Sequence, residues 1–259
     1  MRLATWNVNS LTARLPHVID WLAANPVDVL GLQELKCTDD KFPFQALQDA
    51  GYAAQAFGQK TYNGVALLSP GGLTAVQRNI PGFDDESARV IAASVPHPEG
   101  DIRVVNAYFV NGQEPGSDKF AYKMRWLDAL QAWVKAELAQ HPRLVLMGDF
   151  NIAPEDRDSF DPIGLAGTIH HTDEERAHFQ GLLDLGLVDA FRLFEHPPKT
   201  FSWWDYRMLG FQKNRGLRID HVLVSAALKD RVEACSVDRT PRKWSKPSDH
   251  APVVLTLRT

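Results

Sequence analysis

Five short apolar runs in this chain end on a carboxylate or an amide, and that repeated ending limits the folds open to it. The endings are Thr5-Trp6-Asn7-Val8-Asn9, Leu32-Gln33-Glu34, Gly148-Asp149-Phe150-Asn151, Arg218-Ile219-Asp220-His221 and Ser248-Asp249-His250-Ala251-Pro252. Short runs rich in Val, Ile and Leu read as strands. Polar endings so far apart in sequence can share one site only if their strands lie side by side with their ends at a common edge.

Strand-like runs cover Arg2 to Asn7, Val27 to Gln33, Gly64 to Ser69, Val90 to Val95, Ile102 to Tyr108, Leu144 to Met147, Ile219 to Ser225 and Val253 to Leu257. They are too many for a helix bundle. Helical periodicity is found at Leu15 to Ala24, Phe44 to Ala50, Asp118 to Gln140 and Thr172 to Leu185, the last opening on Thr172 with Glu175 three residues on, a capping-box pattern. Hairpins are expected between Tyr52 and Tyr108. The pattern predicts two packed mixed sheets with helices outside, in one domain over residues 1–259. There is no repeat of fixed period and no linker.

A chain of 259 residues with 44% hydrophobic and 23% charged composition can bury a full core. Cys37 and Cys235 fit no metal-ligand spacing, and no apolar run is long enough to span a membrane. A soluble cytoplasmic monomer with reduced thiols and no membrane partner is expected. The net charge of −4 opposes bulk attraction to nucleic acid, but its distribution is uneven. Tyr206 to Ile219 carries Arg207, Lys213, Arg215 and Arg218 without an acid, and Arg239, Arg242, Lys243 and Lys246 surround Trp244. Acids from Glu155 to Glu175 crowd another segment. Basic faces for phosphate and ordinary solvated loops both fit these runs.

Chemistry follows from the endings. Asp149 and Asn151 are two apart, so on an extended chain they share a face, where the carboxylate could take a proton from water and the amide hold the phosphate; an Asx-turn fits the same spacing. Glu34 is a hard oxygen donor suited to Mg2+, with Asn7 and Asp249 as helpers. Asp220 can hold one nitrogen of His250 so that the other turns to the phosphate, which leaves His221 pointing into the sheet interface as a structural residue. Tyr108 ends its strand with a phenol that either binds phosphate or packs.

Together these segments resemble the exonuclease III family of DNA repair nucleases, within the endonuclease/exonuclease/phosphatase superfamily. The resemblance runs from Met1 to Thr259 and also rests on Tyr62-Asn63-Gly64-Val65-Ala66, Ser202-Trp203-Trp204-Asp205-Tyr206 and Gly216 to His221. It implies an α/β fold, a four-layer αββα sandwich of two mixed, mostly antiparallel β-sheets packed face to face with helices outside. The implied activity is Mg2+-dependent phosphodiester hydrolysis in duplex DNA, with Mn2+ as a substitute, on abasic sites, nicks or blocked 3′ ends. The implied roles are metal site for Glu34, Asn7 and Asp249, water activation for Asp149, positioning for Asn151 and Tyr108, and the Asp-His pair for Asp220 and His250. Trp204, Arg207, Phe211, Lys213 and Arg215 match loops that press on the DNA minor groove, and Lys119, Lys123 and Arg125 add phosphate contacts from the long helix.

One departure concerns His170, where several abasic endonucleases of the family have a small residue. An imidazole there would crowd a continuous strand yet admit a 3′ terminus, favouring 3′-end processing over abasic-site cleavage; a solvated loop residue without that effect is the other reading. A non-catalytic RNA-binding regulator on the same scaffold and a phosphatase of small molecules also stay open at this point.

Overall fold

The computed structural model describes residues 1–259. In chain order the strands are β1 Arg2–Asn7, β2 Val29–Gln33, β3 Ala53–Phe57, β4 Val65–Ser69, β5 Thr74–Arg78, β6 Val90–Val95, β7 Ile102–Tyr108, β8 Leu144–Asp149, β9 Leu187–Asp189, β10 Trp203–Trp204, β11 Gly216–Leu217, β12 Asp220–Ser225, β13 Val232–Val237 and β14 Val253–Leu257. The helices are α1 Leu11–Ala24, α2 Phe44–Asp49, α3 Asp118–Gln140, α4 Asp173–Asp184 and α5 Ala226–Lys229. One six-stranded sheet has the order β13-β14-β1-β2-β4-β3 and the other β5-β6-β7-β8-β12-β9. Each sheet has one parallel pair, β1 with β2 and β7 with β8, and antiparallel neighbours elsewhere. Parallel neighbours need a long crossover, which α1 and α3 provide.

Apolar residues sort into layers by strand alternation. Leu3, Val29, Leu67, Val104, Met147, Val222 and Leu255 fill the gap between the sheets. Trp6, Trp21 and Leu47 pack under α1 and α2 on one outer face, and Phe109, Trp126, Leu130 and Phe179 under α3 and α4 on the other. The αββα sandwich is therefore present.

Four strands of the main sheets escape the sequence reading, β3, β5, β9 and β13, and all four lie at sheet edges. Edge strands face water along one side, and Thr74–Arg78 and Val232–Val237 are largely exposed, so their composition is mixed and their apolar signal weak. Helix α1 begins four residues earlier than its periodicity suggests, because Ser10 caps it by accepting from the Ala13 N–H and a break at Arg14 accommodates Pro16. Thr172 caps α4 as expected. The return half of the capping box is absent, because the Glu175 carboxylate turns to Lys123, 3.3 Å away.

Arg218 is the largest departure from a surface reading of the basic segments, being only 1% exposed. It donates to Asp158 at 2.7 Å and to Asp189 at 2.7 Å, and sits over the Phe191 ring. Burial alone would depress its pKa, but the two carboxylates outweigh that and hold it raised. Arg192 also pairs with Asp158. Replacing Arg218 with Met leaves Asp189 buried without its cation, and removing one member of a buried pair costs about 3–5 kcal/mol. Urea unfolding of Arg218→Met checks this expectation, and a loss under about 1 kcal/mol contradicts it.

Candidate active site

Strand alternation decides which endings face the gap between the sheets. Asn7 lies on the Leu3 side of β1, Asp149 on the Val145 and Met147 side of β8, and Asp220 on the Val222 side of β12. Register aligns them further. Tyr108 and Asp220 flank Asp149 on the neighbouring strands, forming one row across β7, β8 and β12. Gly148 permits this closeness, since a Cβ there would lie 1.8 Å from the Ala107 carbonyl oxygen. At the mouth the backbone leaves its regular path, and Asn9, Glu34, Asn151 and His170 all have positive φ. Such conformations persist where surrounding contacts hold them.

Hydrogen bonds tie the two sheets together at this row. The Asn7 amide nitrogen donates to Glu34 Oε1 at 2.8 Å and Asp149 Oδ2 at 2.9 Å, while its oxygen accepts from the Asn9 N–H at 3.0 Å. His250 Nδ1 lies 2.8 and 3.1 Å from the Asp220 oxygens, and its Nε2 is 3.6 Å from Asp149 Oδ2. Ser202 supports the pair by donating to Asp220 Oδ2 at 2.7 Å. Ser248 donates to the Asn7 carbonyl and so joins the mouths of β1 and β14.

The charges are unequal. Burial raises the Asp149 carboxyl pKa to about 7, with His250 opposing and Asp220 and Glu34 reinforcing the shift. Burial would lower His250, but Asp220 and Asp149 outweigh it and raise the imidazolium to about 10. Burial, then the Glu34 and Asp149 charges, hold the Tyr108 phenol well above its usual value, so it stays a donor.

Glu34, Asp149 and His250 bring donor atoms within 4.8 Å of one another. His250 is engaged with Asp220 through Nδ1 and faces Asp149 with Nε2, so the hard oxygen donors of the group are the carboxylates of Glu34 and Asp149. Two carboxylates gathered by one amide fit a hard divalent cation. Asn7 presents N–H to the carboxylates rather than its oxygen. Asp249 stands beside this cluster, its oxygens accepting from Asn9 and from Trp203 Nε1.

Several expectations need correction. Asn151 reaches the site through a turn, not strand alternation, for its N–H donates to Asp149 Oδ1 and its φ is positive; the Asx-turn is present as part of the site. His221 faces the helix layer between Phe150 and Phe179, not the sheet interface, though it is structural. Trp204 is fully buried, with Nε1 on Asn214, and cannot press on DNA. Its neighbour Trp203 instead lines a cavity of about 510 Å³ with Phe160, Ile169, His170, Arg215 and Leu217. Phe211 is half-buried against Trp204. Lys119, Arg125, Arg207, Lys213 and Arg215 are exposed, although Arg207 pairs with Asp205. Lys123 is not on the surface at all; it is fully buried and donates to the main-chain carbonyls of Asn111 and Asn151. His170 is no solvated loop residue, since its Nδ1 is 2.7 Å from the Asn151 carbonyl and burial, then Lys123, lowers its pKa to about 3. The supporting serines carry no local signature, and Trp203 is marked in the sequence only by its adjacency to Trp204.

Comparison with known proteins agrees with this geometry. The profile of the endonuclease/exonuclease/phosphatase family matches residues 4–250. Exodeoxyribonuclease III of Haemophilus influenzae is 37% identical over 267 residues, covering 98% of both chains. A solved 3′ phosphatase from Neisseria, bound to a product DNA hairpin, is 47% identical with a TM-score of 0.97, and an AP endonuclease from Archaeoglobus fulgidus is 32% identical with a TM-score of 0.95; each comparison covers 100% of both chains. The chain thus belongs to the endonuclease/exonuclease/phosphatase family, and is a phosphodiester-hydrolysing enzyme similar throughout its length to the exodeoxyribonuclease III type of DNA repair nuclease.

Proposed function

We propose that this chain acts, as one domain over residues 1–259 and as a cytoplasmic monomer, as a Mg2+-dependent nuclease of DNA repair. Its substrates are abasic sites, nicks and blocked 3′ ends in duplex DNA, through 3′-5′ exonuclease, 3′-phosphatase and abasic-site endonuclease activities. The observation that carries this reading is the convergence of Asp149 and His250 at 3.6 Å, with Asp220 on the other ring nitrogen. One chain supplies every residue of that site. Its free cysteines are buried, which suits a reducing compartment.

Asp149, buried at the end of its strand and 3.6 Å from His250, takes the proton of the attacking water. His250, held protonated by Asp220, donates from Nε2 to a phosphoryl oxygen as charge grows there. Asn151 and Tyr108 hold the water and phosphate in line. Glu34 and Asp149, with Asn7 between them and Asp249 alongside, would hold the Mg2+ or Mn2+, which supplies charge neutralisation at the phosphate. Exposed Lys119, Arg125, Lys213 and Arg215 contact DNA phosphates, and Trp203 offers an apolar wall beside the site.

A second reading concerns which substrate dominates. His170 is clamped to the carbonyl of Asn151 and lines the cavity that Trp203 lines, so it occupies a fixed place between the reaction centre and that cavity. That placement favours 3′-end processing over cleavage within a continuous strand.

Asp149→Asn keeps the side-chain shape but removes the base, so kcat should fall about 10²- to 10⁴-fold while DNA affinity survives. Labelled duplexes carrying an internal abasic site, a 3′ phosphate or a recessed 3′ hydroxyl measure this, and activity within about tenfold of wild type on all of them rejects the role of Asp149. Glu34→Gln should need more Mg2+ for half-maximal rate, and EDTA should abolish hydrolysis by the wild type. Full turnover in chelator would refute metal dependence. For His170→Gly, the kcat/KM ratio of abasic-site cleavage to 3′-phosphate removal should rise, because only the internal substrate runs nucleotides past that position. An unchanged ratio makes His170 a loop anchor and nothing more.

A further inference from the structure

Three segments meet beside the reaction centre, and one buried ammonium joins them. Lys123, in the second turn of α3, has no exposed surface, and its Nζ donates to the Asn111 carbonyl at 3.1 Å, beyond β7, and to the Asn151 carbonyl at 2.8 Å, beyond β8. Glu175 on α4, equally buried, comes within 3.3 Å of the same nitrogen, and Lys123 is the one cation paired with it. Neither Glu175 oxygen has a hydrogen-bond partner, so that cation alone compensates the carboxylate.

The Asn151 carbonyl has a second partner, His170 Nδ1, at 2.7 Å. A carbonyl oxygen only accepts, so this nitrogen carries the proton. The Ala153 N–H in turn donates to the His170 carbonyl at 2.9 Å. The Asn151 amide nitrogen donates to the Phe109 carbonyl at 2.9 Å, and its oxygen lies 3.4 Å from the Asn111 amide nitrogen. Lys123 therefore holds the main chain of both asparagines. With a φ of 51°, Asn151 is in a conformation that surrounding contacts must maintain. Burying two charges gains a fold little, because desolvation offsets their attraction, and apolar side chains of similar size pack as well. Such side chains could not grip two carbonyls at a set distance.

The geometry points to Lys123 as a positioning residue for hydrolysis, one that sets the aim of the Asn151 amide through the main chain while Glu175 keeps the ammonium in place. The inference rests on the role proposed above for Asn151 and adds the buried pair that acts through it. Lys123 itself has no surface from which to touch DNA.

The test uses the full chain, with the single-turnover rate of 3′-phosphate release in Mg2+, the Kd of the duplex and urea unfolding measured for each variant. Lys123→Met alone would strand the Glu175 charge, so the informative variant is the double one, Lys123→Met with Glu175→Gln, which removes both charges at nearly constant volume. It should unfold cooperatively and bind the duplex as wild type does, while its rate falls about 10²-fold, the scale expected for a group misplaced by about 1 Å. Asn151→Ala should lower the rate by itself. Adding the double substitution to Asn151→Ala should lower it less than about threefold further, because the amide to be aimed is gone. A wild-type rate in the double variant overturns the inference. So does a loss that is equally large in the Asn151→Ala background, for the pair then supports the site in general. Lys123→Gln with Glu175→Gln is the milder version, compared in the same way where the first does not fold; failure of both to fold also overturns the inference and leaves the pair a support of the fold. Asn151→Ala at the wild-type rate overturns the role of Asn151 and this inference with it, and absence of release by wild type is a failure of the nuclease reading itself.

Discussion

The site depends on how far apart the two sheets stand at their polar end, and Asn106 sets that distance. From β7 its amide nitrogen crosses the gap to the main-chain carbonyls of Leu32 and Ala66 on the other sheet, at 3.0 and 2.8 Å, while its oxygen accepts from Gln33 at 2.7 Å. Gln33 in turn donates to Thr5. Gly31 leaves the room, since a Cβ there would come within 2.9 Å of the Asn106 side chain and 2.8 Å of Met147. Deeper in the gap packing is apolar and tolerant of small shifts; here directional bonds fix the spacing. Asn7, Glu34, Asp149 and His250 inherit their separations from it.

Net charge is a poor guide to where exposed cations lie. The acids after β8 that could have made a repelling face are mostly used within the fold: Asp158 with Arg218 and Arg192, Glu175 with Lys123, Asp156 with Arg176 and Glu155 with Arg157. Positive charge is left exposed and outside any ion pair at Lys119, Lys213 and Arg215. An acidic chain can thus present a basic face because its carboxylates are spent on its own cations.

The central strands were legible because both their faces are buried and their composition is correspondingly apolar, as in Ile102–Tyr108 and Leu144–Asp149. The endings were legible for the opposite reason, a polar residue after such a run being conspicuous. Direction was harder to read. Lys123 and Arg218 look like surface cations in sequence, and only the acids that fold against them, Glu175 for one and Asp158 and Asp189 for the other, explain their burial. Trp203 and Trp204 are adjacent, so alternation guarantees that they face opposite ways but does not say which one lines the cavity. Asn151 was left between strand alternation and an Asx-turn, because no local rule marks β8 as ending at Asp149, and the turn is what forms.

The place of β14 carries a consequence for the order in which the molecule matures. β1 lies inside its sheet between β2 and β14, and Leu3 pairs with Leu255, so the first strand lacks a neighbour until nearly the whole chain is present. Asp249 and His250 arrive with that same strand. Contacts of such long sequence separation carry a large loop-closure cost and form slowly. A nascent or partly folded chain therefore has Asp149 without its imidazole partner, and the power to cut DNA comes only with the closing of the sheet.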